Sequence, residues 1–130
     1  MTPSVEAWLD WAASDLRTAK RMFYDCYPRE YNISCYHCHQ CCEKSIKAVY
    51  LGLNILDFPK THDLNFLLEQ IKNSVSIEVD LYNISNDLNK FAVVTKYPNQ
   101  LELDDFINEK SIEKAEKIYN WAFEFLNGLK

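Results

Sequence analysis

Four side chains able to bind a metal or act as nucleophiles crowd into one segment: Cys35, Cys38, His39 and Cys42 fall at i, i+3, i+4 and i+7. On a helix this spacing turns all four toward roughly one side. Each is a zinc ligand type, and a thiol near an imidazole is the pairing of a cysteine nucleophile with its base. Geometry argues against both chemistries. Structural zinc needs four donors converging tetrahedrally at about 2.0 to 2.3 Å, whereas one straight helix spreads these side chains over two turns. His62 and Cys26 are the remote ligand types, each alone in its segment. Reactive thiols sit exposed at helix N-termini, and these cysteines fall mostly inside a helix. His37 and His39 are two residues apart and cannot share a helix face, so at most one joins the cysteine line and the other belongs to the surface or an interface. The expectation is that the cysteines are small buried spacers, with no metal and no cofactor.

The elements that must carry this segment follow from composition. At 130 residues the chain reads as one domain over 1–130. Two glycines and four prolines are too few for a turn-rich β fold. The formal charge of −5 gives no general attraction to a phosphate backbone. No run reaches the length of a membrane span, and the amino terminus is polar and acidic where a secretory signal would be basic and apolar. The expected location is the cytoplasm, where five reduced cysteines require no disulfide.

Apolar residues recur at three and four through most of the chain. Val5, Trp8, Leu9, Ala12, Leu16, Ala19 and Phe23 predict a first helix from Thr2–Ser4 to Tyr24. A second runs from about Glu30–Ser34 to Leu53 along Cys35, Cys38, Cys42, Ile46 and Val49. A short third helix, capped by Thr61, turns Leu64, Leu67, Leu68 and Ile71 inward. Ser74 or Ser76 opens a fourth along Ile77, Leu81, Ile84, Leu88 and Phe91, ended at Val93-Val94-Thr95. A polar segment from Asn99 to Lys110 precedes the last, capped by Asn108 or Ser111 and stopped at Gly128. The predicted fold is all-α: an antiparallel bundle of four main helices plus one short one.

In this order the motifs resemble the HEPN family of small helical domains. Its W-x3-A-x2-DL-x2-A pattern appears as Trp8, Ala12, Asp15-Leu16 and Ala19. The second-helix pattern of paired glutamine, small residues and EKxxKA appears as His39-Gln40-Cys41-Cys42-Glu43-Lys44 with Lys47-Ala48. The H-x-L start of helix 3 is His62-Asp63-Leu64, and the (R)YP element is Lys96-Tyr97-Pro98. Two departures stand out. His39 replaces the first glutamine and Cys41 and Cys42 replace alanines. Family members that cut RNA carry an Arg, four to six residues, then His near the last helices. Here no arginine follows Arg29 and no histidine follows His62, and seven residues separate Arg29 from His37. The resemblance therefore leans away from an enzyme.

Gln40, Lys44, Lys47 and Lys96 are the candidates for a phosphate- or nucleotide-binding groove. The competing reading makes Glu43–Lys47 an i, i+4 surface pair and has Lys44 cap the core edge or meet Asp15. Trp11, Asp15, Glu43, His62 and Tyr97 are structural or interface candidates. Trp11 lies off the main stripe of its helix, which marks a homodimer face there or on helix 4. The resemblance implies a non-catalytic component that dimerises and binds a minimal nucleotidyltransferase in a toxin–antitoxin-like system, with a nucleotide or RNA as ligand. A diverged ribonuclease toxin and a dimeric helical scaffold are the alternatives.

Overall fold

Two 22-residue helices, α1 (Pro3–Tyr24) and α2 (Tyr31–Gly52), form an antiparallel hairpin that supplies most of the core. The computed structural model describes residues 1–93 and 103–129. Lys96 and Tyr97, the (R)YP element they belong to, and Val94-Thr95 lie outside the described residues.

The α1 start is set by Thr2, whose hydroxyl accepts from the Val5 amide at 3.2 Å, with Pro3 at the first helical position where its missing N–H costs nothing. Val5, Leu9, Ala12, Leu16, Ala19 and Phe23 are all buried, as their spacing predicts. α2 ends where Asn54 takes a positive φ of 63°, a conformation asparagine tolerates better than most residues.

After α2 come α3 (Leu64–Glu69), α4 (Val79–Leu88) with a 3-10 turn over Asn89–Phe91, and α5 (Asp105–Asn127). Three boundaries differ from expectation. Asp63, not Thr61, caps α3, accepting from the Asn65 and Phe66 amides, while the Thr61 hydroxyl accepts from the Asp63 amide one step earlier. α4 opens at Val79 after Glu78, not at Ser74 or Ser76, because Val75 is already drawn into the core by the turn before it. α5 opens at Asp105 with Asp104 as cap, so Asn108 and Ser111 are helix interior. Both are buried: Asn108 Nδ2 donates to Ser34 Oγ at 2.8 Å, and Ser111 Oγ to its own Ile107 carbonyl.

Pairings between elements fix direction. Asn108 meets Ser34 near the start of α2, and Leu126 meets Gly52 at its end, so α5 runs parallel to α2. A Cβ on Gly52 would collide with Leu126 Cδ2, which is why this close approach uses glycine. α4 runs antiparallel to α5, since Asp80 pairs with Lys117 and Asp87 with Lys114. The result is an antiparallel all-α bundle with α1 and α4 running one way and α2 and α5 the other. No helix among the described residues is long and apolar enough to cross a membrane.

Candidate functional site on the α1–α2 face

Asp15 lies three residues after buried Ala12 and beside Leu16, so the α1 stripe carries its carboxylate inward toward α2. A carboxylate there, 6% exposed, is costly unless paired and hydrogen-bonded. It is held twice. Lys44 Nζ donates to Oδ2 at 2.6 Å, and His37 Nδ1 sits 2.8 Å from Oδ1. With the carboxylate as acceptor, the proton lies on His37 Nδ1 and leaves Nε2 outside the pair. This ring orientation suits proton transfer or metal ligation.

Lys44 is itself nearly buried, and its ammonium rests 4.0 Å from the centroid of the Trp11 ring. Trp11 remains 53% exposed. From it a run of rings leads inward: Trp8 at 5.4 Å, then Phe58 edge-on at 5.4 Å, then Tyr50 at 6.0 Å in the core.

Glu43, the residue before Lys44 on α2, builds a second cluster. Its carboxylate, 5% exposed, accepts from Lys47 Nζ at 2.9 Å and from His62 Nδ1 at 2.7 Å. Burial pushes this carboxyl up, but the hydrogen bonds from Lys47 and His62 outweigh it and the net direction is down. His39 Nε2 donates to the His62 carbonyl at 2.8 Å, so α2 grips His62 by backbone and by ring. Burial pushes His39 below the usual imidazole range, only partly offset by that bond, and its Nδ1 has no hydrogen-bond partner among the described residues.

Glu43 and Lys47 thus form the i, i+4 pair the spacing predicts, but as a half-buried cluster and not a surface one. The Lys44 and Lys47 ammoniums each already meet a buried carboxylate, with which an arriving phosphate would have to compete. Gln40, half-exposed, lies on the arc of α2 between the two clusters. Lys96 lies outside the described residues, so only three of the four phosphate candidates can be placed together.

His37 is the residue the sequence reading undervalued by leaving it to the surface or an interface. The signal was present, since His37 and Lys44 are seven apart on α2 and therefore share the face that meets Asp15. The cysteines have a different setting. Cys35, Cys38, Cys41 and Cys42 are fully buried, and burial pushes Cys35 to about 11 and Cys41 to about 12. Among the described residues, no three His, Cys, Asp or Glu side chains converge to hold a metal.

The family model for the HEPN domain matches residues 5–126. The chain belongs to the HEPN family. An archaeal HEPN homologue of known structure covers 97% of this chain and 99% of its own at 22% identity, with a TM-score of 0.74. A protein from Thermus thermophilus superposes with a TM-score of 0.79 at 21% identity, covering 95% and 98% of the two chains. A HEPN domain protein from Thermotoga maritima gives 0.59 at 22% identity over 93% and 92%. No curated protein matches the chain. Within the HEPN pattern, Asp15 of the first helix and the Glu43-Lys44 and Lys47 of the second are the residues that build both clusters, and the H-x-L histidine is the one Glu43 clasps.

Proposed function

We propose that this HEPN protein acts by association: the whole chain serves as one non-catalytic unit that dimerises and binds a minimal nucleotidyltransferase in a cytoplasmic toxin–antitoxin-like pair. The observation that carries this reading is the commitment of Lys44 and Lys47 to buried carboxylates, with Lys44 beneath an exposed Trp11. Such an arrangement stiffens an aromatic surface and leaves little free charge for gripping phosphate. Aromatic residues are enriched in protein interfaces and dominate their energetics. The nucleotidyltransferase partner comes from the family resemblance. The test is co-expression with the nucleotidyltransferase encoded beside this gene, followed by tag pull-down and mass measurement of the complex. A one-sided pull-down with no stable complex would remove the partner from the reading.

One observation favours a second reading, a diverged ribonuclease. The Asp15-oriented imidazole of His37 is built as a general base would be. Metal-free RNA degradation by the purified chain, abolished by His37→Ala and unaffected by an exposed control such as Lys60→Ala, would replace the non-catalytic reading with this one. His39→Ala would not report on catalysis, since His39 is sealed in the core.

A further inference from the structure

We infer that the connection between α2 and α3, residues 53–63, is an acid-released strap: neutral His39 holds it shut, and a second proton on that ring lets it open. The inference is independent of the association reading. It turns on a position where this chain departs from the HEPN pattern, which has a glutamine in place of His39.

The strap is lightly held. None of its residues is buried or helical, and Leu56 is 77% exposed. Its near end is tied by the Ile55 amide, which donates to the Tyr50 carbonyl at 2.9 Å. In the middle, Phe58 packs edge-on against Trp8 and Tyr50. At the far end α2 holds His62 twice, through His39 Nε2 on its carbonyl and through Glu43 on its ring. Segments with so few buried contacts open locally, well below the free energy of global unfolding.

His39 is the tie that acid can cut. A carbonyl only accepts, so the proton of the neutral ring lies on Nε2 and Nδ1 carries a lone pair. Nδ1 is buried and has no hydrogen-bond partner among the described residues. A proton there would put a charge and an unmatched N–H into the core, and both are costly without water. Lifting the strap lets the ring turn outward and be solvated. Glu43 on α2 and Asp63 at the α3 cap favour the charged ring, while His62 opposes it. Lys47 pairs with Glu43 and so acts at second hand, and Lys90 of the 3-10 turn and Glu116 of α5 act on Cys35 and Cys38. Burial outweighs the carboxylates and keeps His39 below the usual imidazole range. The open state, with the ring in water, therefore takes the proton more readily, and falling pH shifts the population toward it. Glu43 is held below the usual carboxylate range, so it still accepts from His62 where His39 titrates. That contact remains as a tether and keeps the opening local. Release uncovers the Trp8 and Tyr50 rings beneath Phe58.

The experiment is hydrogen exchange read by mass spectrometry on the full chain from about pH 7.5 to about pH 5, with exchange times scaled to the chemical rate at each pH. It follows a peptide carrying the Ile55, Asp63 and Leu64 amides, all hydrogen-bonded in the closed strap, beside peptides of α1 and α5. Wild type is compared with His39→Gln and the control His37→Gln. In wild type, strap protection is expected to hold steady above about pH 6.5 and to fall up to about tenfold over the next unit, while α1 and α5 stay protected. His39→Gln is expected to abolish this dependence, since the amide can still donate to the carbonyl but takes no proton. His37→Gln is expected to keep it. Strap protection that ignores pH in wild type, a dependence that survives His39→Gln or vanishes in His37→Gln, or a loss shared equally by α1 and α5 overturns the inference. If His39→Gln does not fold, an NMR titration of wild type decides. The His39 ring should then titrate below about 6.5 with the Ile55 and His62 amide signals moving in step. A ring that titrates at or above that value, or a strap that stays still while the ring titrates, overturns the inference as well.

Discussion

The α1–α2 face and the α4–α5 seam both join helices by lysine–carboxylate pairs, yet they do so in opposite settings. On α1–α2, the side chains of Asp15 and Lys44 are 8% and 10% exposed, and both carboxylates also take a histidine. On α4–α5, Lys117 and Asp80 are 67% and 53% exposed, and the pairs bridge open clefts. A pair in water contributes about 0–1 kcal/mol, because solvent already screens it. A buried pair adds little net stability, but removing one member strands the other in a dry site. The two regions therefore teach that the count of ion pairs says nothing about which ones the fold depends on.

Breaking the buried side should have the largest effect. Asp15→Ala strands the Lys44 ammonium against Trp11 and frees His37 from the carboxylate that orients it, and should cost about 3 kcal/mol or more in urea unfolding. Glu43→Gln keeps the shape but loses the charge that meets Lys47 and His62, and should cost roughly 1–3 kcal/mol by the same measurement. On the seam, Lys114→Ala or Asp87→Ala should change stability by less than about 1 kcal/mol. If seam and face variants cost the same, burial is not what separates the two regions.

Acid should sharpen the contrast, because two buried groups with lowered values, Glu43 and His39, lie on α2. Glu43 is lowered in the folded chain, so its contribution is present above the ordinary carboxylate range and is lost as pH falls through its folded value. His39 is also lowered, so the unfolded chain binds more protons near pH 6 and stability falls as pH drops below about 6.5. Urea midpoints should accordingly decline between pH 7 and pH 5 in the wild type. His39→Gln, which restores the glutamine of the HEPN pattern, should flatten that decline. The smallest effect is chemical: in native protein, maleimide labelling read by mass spectrometry should reach Cys26 first and leave the four buried thiols of α2 nearly untouched.

Much of the fold was legible because the apolar spacing of α1, α2 and α5 is long and regular, and the buried residues follow it closely. The start of α5 was not, since Asp104, Asp105, Asn108 and Ser111 all suit a cap and only packing selects among them. The cysteines read correctly as spacers on residue type alone. At the site, the pairing of Lys47 with Glu43 and of Lys44 with Asp15 was visible as one alternative, but not the burial of the two carboxylates. Lysine looks the same in a sequence whether its charge is free or matched. His37 was missed because its partner stands 22 residues away on another helix. Distance along the chain hides such a pair, and only the shared face of His37 and Lys44 hinted at it.

The parallel run of α2 and α5 has a consequence for how the chain comes to be folded. Tyr31 and Ser34 at the beginning of α2 wait for Asp105 and Asn108, contacts separated by 74 residues. The hairpin of α1 and α2 is local and can form early, while closing so long a loop is slow. During synthesis the hairpin must therefore stand with the flank of Ser34, Cys35 and Cys41 uncovered until residues 105–127 have left the ribosome. Small thiols make that waiting surface less greasy than a row of leucines, and so less prone to capture the wrong neighbour.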